Sequence, residues 1–197
     1  MKIICVGRNY ASHIRELDNE KPASPVLFMK PGTSIIPKHQ PFVIPTFSND
    51  IHYEVELLIK ICKNGKHIQP QFVKNYYDEI SLGIDFTARD LQTQLKKQGL
   101  PWEKAKAFDR SACVSNIWLP VDQMNTSDIR FSLKVNEDIA QADTTEKMLW
   151  KIDELITYIS TYFTLNKGDI IFTGTPKGVG KVEENDRLRG YIQDRLM

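Results

Sequence analysis

Most apolar residues of this chain occur in short runs rich in Val, Ile, Phe and Tyr, a pattern typical of β-strands. Strands are therefore predicted at residues 3–6, 26–30, 52–61, the first half of 81–90, 169–173 and 187–192, with further strands and loops between residues 111 and 135. The Asn64-Gly65 pair that follows the strand at 52–61 predicts a tight hairpin. Three prolines within residues 31–41 exclude a helix there.

Helical spacing is clearest at residues 151–163, where five apolar side chains recur on one face: Ile152, Leu155, Ile156, Ile159 and Phe163. Residues 10–17 also have helical composition, with Asn9 as the predicted cap. A third helix is predicted to begin near Thr87 or Asp90, either of which could cap it, and to end at Gly99. About three helices among many short strands favour an α+β, mainly β domain over a doubly wound sheet.

Length and composition predict a single domain covering residues 1–197. The 26 basic and 25 acidic residues leave a net charge of +1, so neither nucleic acid nor an anionic membrane is expected as a partner. No apolar run approaches the roughly 18 residues of a membrane span, and the N-terminus turns polar too early for a secretory signal. Cys5, Cys62 and Cys113 share no C-x-x-C spacing and are expected to be free thiols. A cytoplasmic enzyme is the resulting expectation.

Two glutamates, Glu54 and Glu56, stand two residues apart in the predicted strand 52–61. Because side chains alternate between the faces of a strand, both glutamates and His52 are expected on one side. A carboxylate pair among apolar residues is readily explained by a divalent cation. A solvated strand face without an ion explains this segment, taken alone, about equally well.

A third carboxylate, Asp85, ends the following apolar strand and could complete the ligand set. Three carboxylates, with water or substrate in the other positions, suit Mg²⁺ or Mn²⁺. Arg89, four residues further on, could bind a substrate carboxylate with two hydrogen bonds. The alternative is that Asp85 and Asp90 are ordinary acids at a helix N-terminus.

His13 and Glu16 are three residues apart in a predicted helix and so share a face. Glu16 can orient the imidazole of His13, and the pair can act as a general base on water. Lys106 lies between alanines and before Phe108, where a partly buried ammonium could stabilise an oxyanion. A lysine whose charged end reaches the surface fits the same residues.

A glycine-rich loop at residues 173–181 has the sequence TGTPKGVGK. It fails the P-loop pattern, because Thr175 stands where the first glycine is required and Val182 where Ser or Thr is required. A loop whose backbone N–H groups and threonine hold a carboxylate remains reasonable. A plain connection between strands is the alternative.

Six segments, taken together, resemble the fumarylacetoacetate hydrolase family, in its short-chain branch of acylpyruvases and oxaloacetate decarboxylases or tautomerases. They occur in the family's order between Val6 and Gly180: VGRNYASHIREL, PVLFMKPGTSII, IHYEVELLI, GIDFTARDLQ, GLPWEKAKAFD and GDIIFTGTPKGVG. The resemblance implies a mixed β-sheet roll with few short helices, usually assembled as a homodimer. Family members generally continue beyond the segment matching 187–192, so ending at Met197 is expected to trim a final strand or an edge of the dimer interface.

The resemblance also implies roles for individual residues. One divalent ion, Mg²⁺ or Mn²⁺, would be held by Glu54, Glu56 and Asp85. His13 and Glu16 would form a water-activating dyad on a mobile lid at about residues 10–25. Lys106 would be the catalytic lysine, and the substrate would meet Arg89, Gln92 and Thr175.

The expected activity is hydrolysis of a C–C bond in a small 2,4-dioxo acid, an acylpyruvate, giving pyruvate and a carboxylic acid. The metal would stabilise the departing enolate as a Lewis acid, while the dyad activates water. Oxaloacetate decarboxylation or tautomerisation, or isomerisation of a dioxo acid, would use the same site. A non-catalytic metal- or ligand-binding module is the alternative of another class, and the dyad argues against it. A nucleotide-binding protein is disfavoured because the P-loop pattern fails.

Overall fold

The computed structural model describes residues 1–197, and its fold is α+β and mainly β, as predicted. The strands are β1 (Ile3–Gly7), β2 (Val26–Lys30), β3 (Ile51–Tyr53), β4 (Val55–Ile61), β5 (Tyr77–Asp85), β6 (Thr87–Ala88), β7 (Ala112–Val114), β8 (Leu119–Pro120), β9 (Arg130–Val135), β10 (Asp138–Thr144), β11 (Ile170–Phe172), β12 (Gly180–Lys181), β13 (Leu188–Ile192) and β14 (Arg195–Leu196). The α-helices are α1 (Ala11–Glu16), α2 (Arg89–Gln98), α3 (Glu103–Lys106) and α4 (Ile152–Tyr162).

A seven-stranded mixed sheet forms the frame of the molecule. Its strand order is β2-β1-β11-β4-β5-β7, and β8 also pairs with β5. Only β1 and β11 pair in parallel, whereas the other pairs of this sheet are antiparallel. Because side chains alternate, one face of the sheet is apolar and the other carries the charged residues discussed below.

The apolar face of the frame packs against a second sheet of order β10-β9-β13-β14. Val55 and Leu57 of β4 lie in the same buried cluster as Phe131 and Leu133 of β9. Helix α4 adds its predicted apolar face to this cluster, with Ile152, Leu155, Ile156 and Ile159 all buried. This cluster is the main core of the protein.

The opposite face of the frame carries a smaller apolar cluster that includes Ile3, Cys5, Leu58 and Phe172. Glu56 pairs across the sheet with Gly83, and Asp85 lies two residues further along β5 on the same face. The candidate site therefore lies on the face turned away from the main core.

The strand predicted at 52–61 is interrupted at Glu54. Residues Ile51–Tyr53 pair with β6 and β12 in a small three-stranded sheet, whereas Val55–Ile61 belong to the frame. Glu54 thus stands at the junction of two sheets, a position that the alternation of polar and apolar residues does not reveal.

The predicted tight hairpin at Asn64-Gly65 is wrong. β4 and β5 are antiparallel neighbours, but residues 62–76 connect them and include a 3₁₀ helix at Pro70–Asn75. Gly65 instead forms an isolated bridge with Leu165, and the Asn64 side chain accepts a bond from the Lys167 amide. A long-range contact therefore replaces the local turn.

The predicted helix caps are also wrong, although the helices themselves form. Helix α1 begins after Tyr10 and α2 after Ala88, and neither start has a side-chain cap. The Asn9 amide instead donates to Thr173 O at 2.8 Å and accepts from the Trp150 amide at 2.8 Å. Gly99 ends α2 as predicted, with φ of 64°.

The three cysteines are free thiols, as expected. No helix in the structure combines the length and apolar character needed to cross a membrane.

Candidate active site

The three predicted metal-binding carboxylates converge on the charged face of the frame. Glu54, Glu56 and Asp85 each offer an oxygen, and these oxygens lie within 4.8 Å of one another. All three residues are buried, with at most 4% of their surface exposed. The solvated strand face is therefore wrong. The helix N-terminal role is wrong for Asp85, which ends β5, but right for Asp90, which lies in the first turn of α2.

Lys106 projects from the end of α3 into this carboxylate cluster. Its Nζ donates to Glu54 Oε2 at 2.8 Å, to Asp85 Oδ2 at 2.7 Å and to Thr87 Oγ1 at 2.6 Å. Burial alone would lower its pKa, but Asp85 and Glu54 raise the pKa of Lys106 above its ordinary value and keep it charged. A lysine that reaches the surface is excluded, and all three ammonium protons are engaged.

Lys30, at the end of β2, is a second buried lysine that sequence reasoning missed. Its Nζ lies 2.7 Å from Asp85 Oδ1 and donates to the carbonyl of Lys106 and to Ser111 O at 3.0 Å. The side chain is completely buried. The signal that could have found it is the alternation of VLFMK, which places Lys30 on the same face as Phe28.

The charges and hydrogen bonds of the three carboxylates suit a divalent cation. Burial, Asp85 and Glu54 together raise the pKa of Glu56 well above its ordinary value. Burial opposes ionisation of Glu54, yet Lys106 and Arg89 hold its pKa well below the ordinary value. Asp85 Oδ1 accepts no hydrogen bond, although the Lys30 ammonium lies 2.7 Å from it. Buried carboxylate oxygens, one of them without a hydrogen bond, fit Mg²⁺ or Mn²⁺.

Arg89, the first residue of α2, borders the cluster. Its guanidinium pairs with Glu54 Oε1 and donates to Gln92 Oε1 at 2.7 Å. His52 lies against the same group, with its Nδ1 3.4 Å from Arg89 Nε. The structure thus brings Arg89, Gln92 and His52 to one side of Glu54.

The glycine-rich loop holds carboxylates of the protein itself. The Gly174 amide donates to Glu56 Oε2 at 2.7 Å, and the Gly178 amide donates to Glu16 Oε1 at 2.8 Å. The Thr175 hydroxyl donates to the carbonyl of Val55 at 2.8 Å, so its proton is already used within the protein. The loop therefore holds both the metal-binding Glu56 and the dyad residue Glu16, and it is more than a connection between strands.

His13 and Glu16 lie on α1 as the helical spacing predicts. His13 Nδ1 is 3.2 Å from Glu16 Oε2, and His13 is 6% exposed. A carboxylate only accepts hydrogen bonds, so Nδ1 carries the proton and Nε2 is left with its lone pair. Burial lowers the pKa of His13, although Glu54 and Glu16 partly oppose this, so the neutral imidazole is favoured.

A small cavity of about 40 Å³ joins the dyad to the carboxylates. Its lining includes all nine predicted site residues except Glu16, together with Arg8, Asn19, Lys96 and Trp102.

Two cations in this lining have no acidic partner. Arg8 lies over the Trp102 ring at 6.0 Å, and Lys96 Nζ donates to Asn19 Oδ1 at 2.5 Å. Neither Arg8 nor Lys96 has a carboxylate partner. Burial, Arg8 and Arg89 lower the pKa of Lys96, as expected where cations crowd together.

Comparison with known proteins gives consistent matches over nearly the whole chain. The family model described as "Fumarylacetoacetate (FAA) hydrolase C-terminal" matches residues 2–195. A mitochondrial oxaloacetate tautomerase of Bos taurus is 40% identical over 195 residues, covering 98% of this chain and 88% of the relative. An oxaloacetate tautomerase of Escherichia coli is 42% identical over 192 residues, covering 95% and 86%.

A solved structure shows the same architecture. The crystal structure of fumarylpyruvate hydrolase from Pseudomonas aeruginosa, in complex with Mn²⁺ and pyruvate, matches with a TM-score of 0.91 and 35% identity. The match covers 98% of this chain and 84% of that one.

Proposed function

Since this chain belongs to the fumarylacetoacetate hydrolase family, we propose that it is a divalent-metal-dependent enzyme that hydrolyses a C–C bond in a small 2,4-dioxo acid. The observation that carries this proposal is His13, which is held by Glu16 and lines the same cavity as three buried carboxylates. A pure binding module gains little from such a pair, whereas hydrolysis needs a base that activates water.

Glu54, Glu56 and Asp85 would hold one Mg²⁺ or Mn²⁺. Bound there, the ion supplies Lewis acidity towards the carboxylate and α-keto oxygens of the substrate. The Mn²⁺ in the related fumarylpyruvate hydrolase supports this assignment.

In the proposed reaction, His13 Nε2 takes a proton from water, which attacks the distal carbonyl of the substrate. Glu16 fixes the ring by accepting the Nδ1 proton, and the Gly178 amide fixes Glu16 in turn. Lys106 would stabilise the oxyanion by exchanging one of its hydrogen bonds to Glu54, Asp85 or Thr87 for a bond to the substrate oxygen. The C–C bond then breaks, the acyl group leaves as a carboxylic acid with the oxygen of water, and pyruvate leaves as its enolate, which takes up the proton that His13 removed from water.

The surroundings of the cavity favour a substrate with a second carboxylate. Arg8 and Lys96 line the cavity, and neither is neutralised by an acid of the protein. Arg89, Gln92 and Thr175 would contact the rest of the substrate. The charges beside the cavity therefore favour diacids such as fumarylpyruvate or oxaloacetate over acetylpyruvate, although a cavity of about 40 Å³ must widen to admit any of them.

Oxaloacetate tautomerisation or decarboxylation is the second candidate. Two relatives at 40% and 42% identity are oxaloacetate tautomerases. Decarboxylation would need the same ion and carboxylate contacts but no attacking water, and tautomerisation would need only proton transfer. The family resemblance further leads us to propose a homodimer, for which light scattering should give twice the 22.7 kDa of the chain.

The first test follows loss of enol absorbance for acetylpyruvate, fumarylpyruvate and oxaloacetate, with Mg²⁺ or Mn²⁺ and with excess chelator. Metal-dependent release of pyruvate plus the matching acid is the expected result, with fumarylpyruvate turned over faster than acetylpyruvate. Turnover of oxaloacetate alone, with the metal shown to be bound, would select the second candidate instead.

His13→Ala separates the two chemistries. Loss of a general base costs about 10²–10⁴-fold, so hydrolysis should fall by that factor while much of the oxaloacetate decarboxylation remains. Equal loss of both activities would contradict the division of roles between the dyad and the metal ligands.

A further inference from the structure

A buried glutamine outside the predicted site connects the metal-binding strand to the glycine-rich loop. Gln141 lies on β10 in the second sheet and is 1% exposed. Its Oε1 accepts from the Val55 amide at 2.8 Å, and its Nε2 donates to Thr175 Oγ1 and to Pro176 O, both at 2.9 Å. The oxygen of the side-chain amide thus binds the strand that carries Glu54 and Glu56, and its nitrogen binds the Thr175 loop.

These bonds replace sheet contacts that are missing on the β11 side of Val55. Val55 lies between Glu54 and Glu56, and the paired register of β4 with β11 covers only Leu58–Lys60. The Thr175 hydroxyl donates to the Val55 carbonyl, and Gln141 accepts from the Val55 amide. On the β11 side, two side chains therefore hold the Val55 backbone, whereas β5 pairs with it on the other side through Ile84.

A β-bulge points Gln141 inwards. Ile139 pairs with Lys134, but the next paired residue is Gln141 with Leu133, so Ala140 is an extra residue in β10. Ile139 is 65% exposed, whereas Gln141, two residues later, is buried. In a regular strand these two side chains would share a face, so the bulge is what turns Gln141 towards the site.

The same bulge also supports the dyad. Gly178 has φ of 95°, and a Cβ at this position would overlap the carbonyl oxygen of Ala140. The Gly178 amide is the donor that holds Glu16. The bulge therefore contacts one loop that meets both the metal-binding strand and the dyad.

We propose that Gln141, turned inwards by the bulge at Ala140, is a positioning residue that fixes the metal-binding strand against the Thr175 loop. This inference rests on the proposed metal site, because its effect on function passes through Glu54 and Glu56. Gln141 itself touches neither carboxylate by hydrogen bonding and is assigned no chemical step.

The test compares Gln141→Met with Thr145→Val. Methionine keeps an unbranched side chain of similar size but makes none of the three hydrogen bonds. Thr145 is also buried, lies just beyond the same hairpin, and its hydroxyl bonds the Ile129 amide and the Thr126 carbonyl. Thr145→Val thus removes comparable bonds away from the site.

Mn²⁺ affinity of the purified proteins, measured by electron paramagnetic resonance, is the deciding readout. Loss of a supporting contact around a metal site costs about 10–100-fold in affinity or activity. Gln141→Met should weaken Mn²⁺ binding by at least about 10-fold and lower kcat, while Thr145→Val leaves both unchanged. Equal Mn²⁺ affinity in the two variants would overturn the proposal.

Hydrogen exchange at the Val55 amide gives an independent readout that needs no metal. It should quicken in Gln141→Met and not in Thr145→Val, and unchanged protection would also contradict the positioning role. If the parent protein itself fails to bind Mn²⁺, the proposed function fails, whereas the exchange result still decides the role of Gln141. Should Gln141→Met not fold, Gln141→Asn provides the same comparison, because its shorter amide cannot span Val55 and Thr175.

Discussion

At the scale of single residues, substitutions in the buried charged cluster are expected to lower the free energy of unfolding most. Lys30 and Lys106 are both buried against Asp85, on a sheet face that also carries Glu54 and Glu56. Removing Lys30 takes one positive charge out of this buried cluster and leaves Lys106 as the only lysine beside Asp85, so the carboxylates lose part of their neutralisation where water cannot replace it. The sequence shows each of these residues, but only the fold shows that they meet.

Lys30→Met should therefore destabilise the metal-free protein strongly. The expected loss in the free energy of unfolding is about 3–5 kcal/mol, measured by urea denaturation with chelator present. The matched control is Lys60→Met, because Lys60 pairs with Glu79 at 2.6 Å on the surface. That pair is worth about 0–1 kcal/mol. Similar losses in the two variants would contradict the assigned role of Lys30.

The titration of His13 leads to a prediction about pH. Burial lowers its pKa, so hydrolysis should remain high down to a pH below the ordinary imidazole value of about 6.5 and then fall as His13 is protonated. Glu16 raises this pKa, both by its charge and by its hydrogen bond. Glu16→Gln should accordingly move the acid limb of the pH–kcat/KM profile to lower pH, and a shift to higher pH would be inconsistent with it.

At the scale of elements, the parallel pairing of β1 with β11 is stabilised by Asp169, the residue just before β11. Asp169 is fully buried, accepts the Lys2 amide at 2.7 Å and the Asn166 amide at 2.8 Å, and pairs with the Lys2 ammonium at 2.6 Å. Burial alone would raise the pKa of Asp169, but the hydrogen bonds and the ion pair with Lys2 and Asn166 have the larger effect and lower it. This carboxylate fastens the start of one strand to the start of the other.

Asp169→Asn should lower the free energy of unfolding by about 1–3 kcal/mol at neutral pH. Because the folded pKa lies below the unfolded value of about 3.9, the unfolded chain binds more protons in acid. The stabilisation is complete above the unfolded pKa and disappears as the pH falls through the folded one. Denaturation curves of the two proteins should therefore converge in strong acid, and a constant difference would rule out the carboxylate as its source.

How far the sequence predicts these elements depends on whether local contacts decide them. Helix α4 and the end of α2 at Gly99 follow from periodicity and from a left-handed glycine, both of which are local. The hairpin expected at Asn64-Gly65 fails because Gly65 pairs with Leu165 instead. Glu54, Glu56, Asp85 and Lys106 could be proposed from their spacing and the family resemblance. Gln141 could not, since its position follows from a bulge. The alternation in VLFMK gives the face of Lys30, but its contact with Asp85 follows from sheet order.

For the molecule as a whole, metal binding should act as a stabilising ligand. An ion at about 100 times its Kd adds about 2.7 kcal/mol, and a protein of this size gains about 2–4 °C per kcal/mol. Mn²⁺ should therefore raise the Tm by about 5–10 °C, and chelator should reverse the shift. Asp85→Asn should abolish it, and a shift of equal size in that variant would place the ion elsewhere.

The parallel pairing of β1 with β11 also affects biosynthesis. In the frame, Ile3–Cys5 pairs with β2 on one side and in parallel with Ile170–Phe172 on the other, so the second pairing must wait until residues 170–172 have been made. At about 5–20 residues per second, this interval is roughly 10–30 s on the ribosome. The pairing of β1 with β11, in the sheet that carries Glu56 and Lys30, is therefore expected to form only after residues 170–172 have been synthesised. Shorter nascent chains should expose the apolar β1 and β2 segments to chaperones.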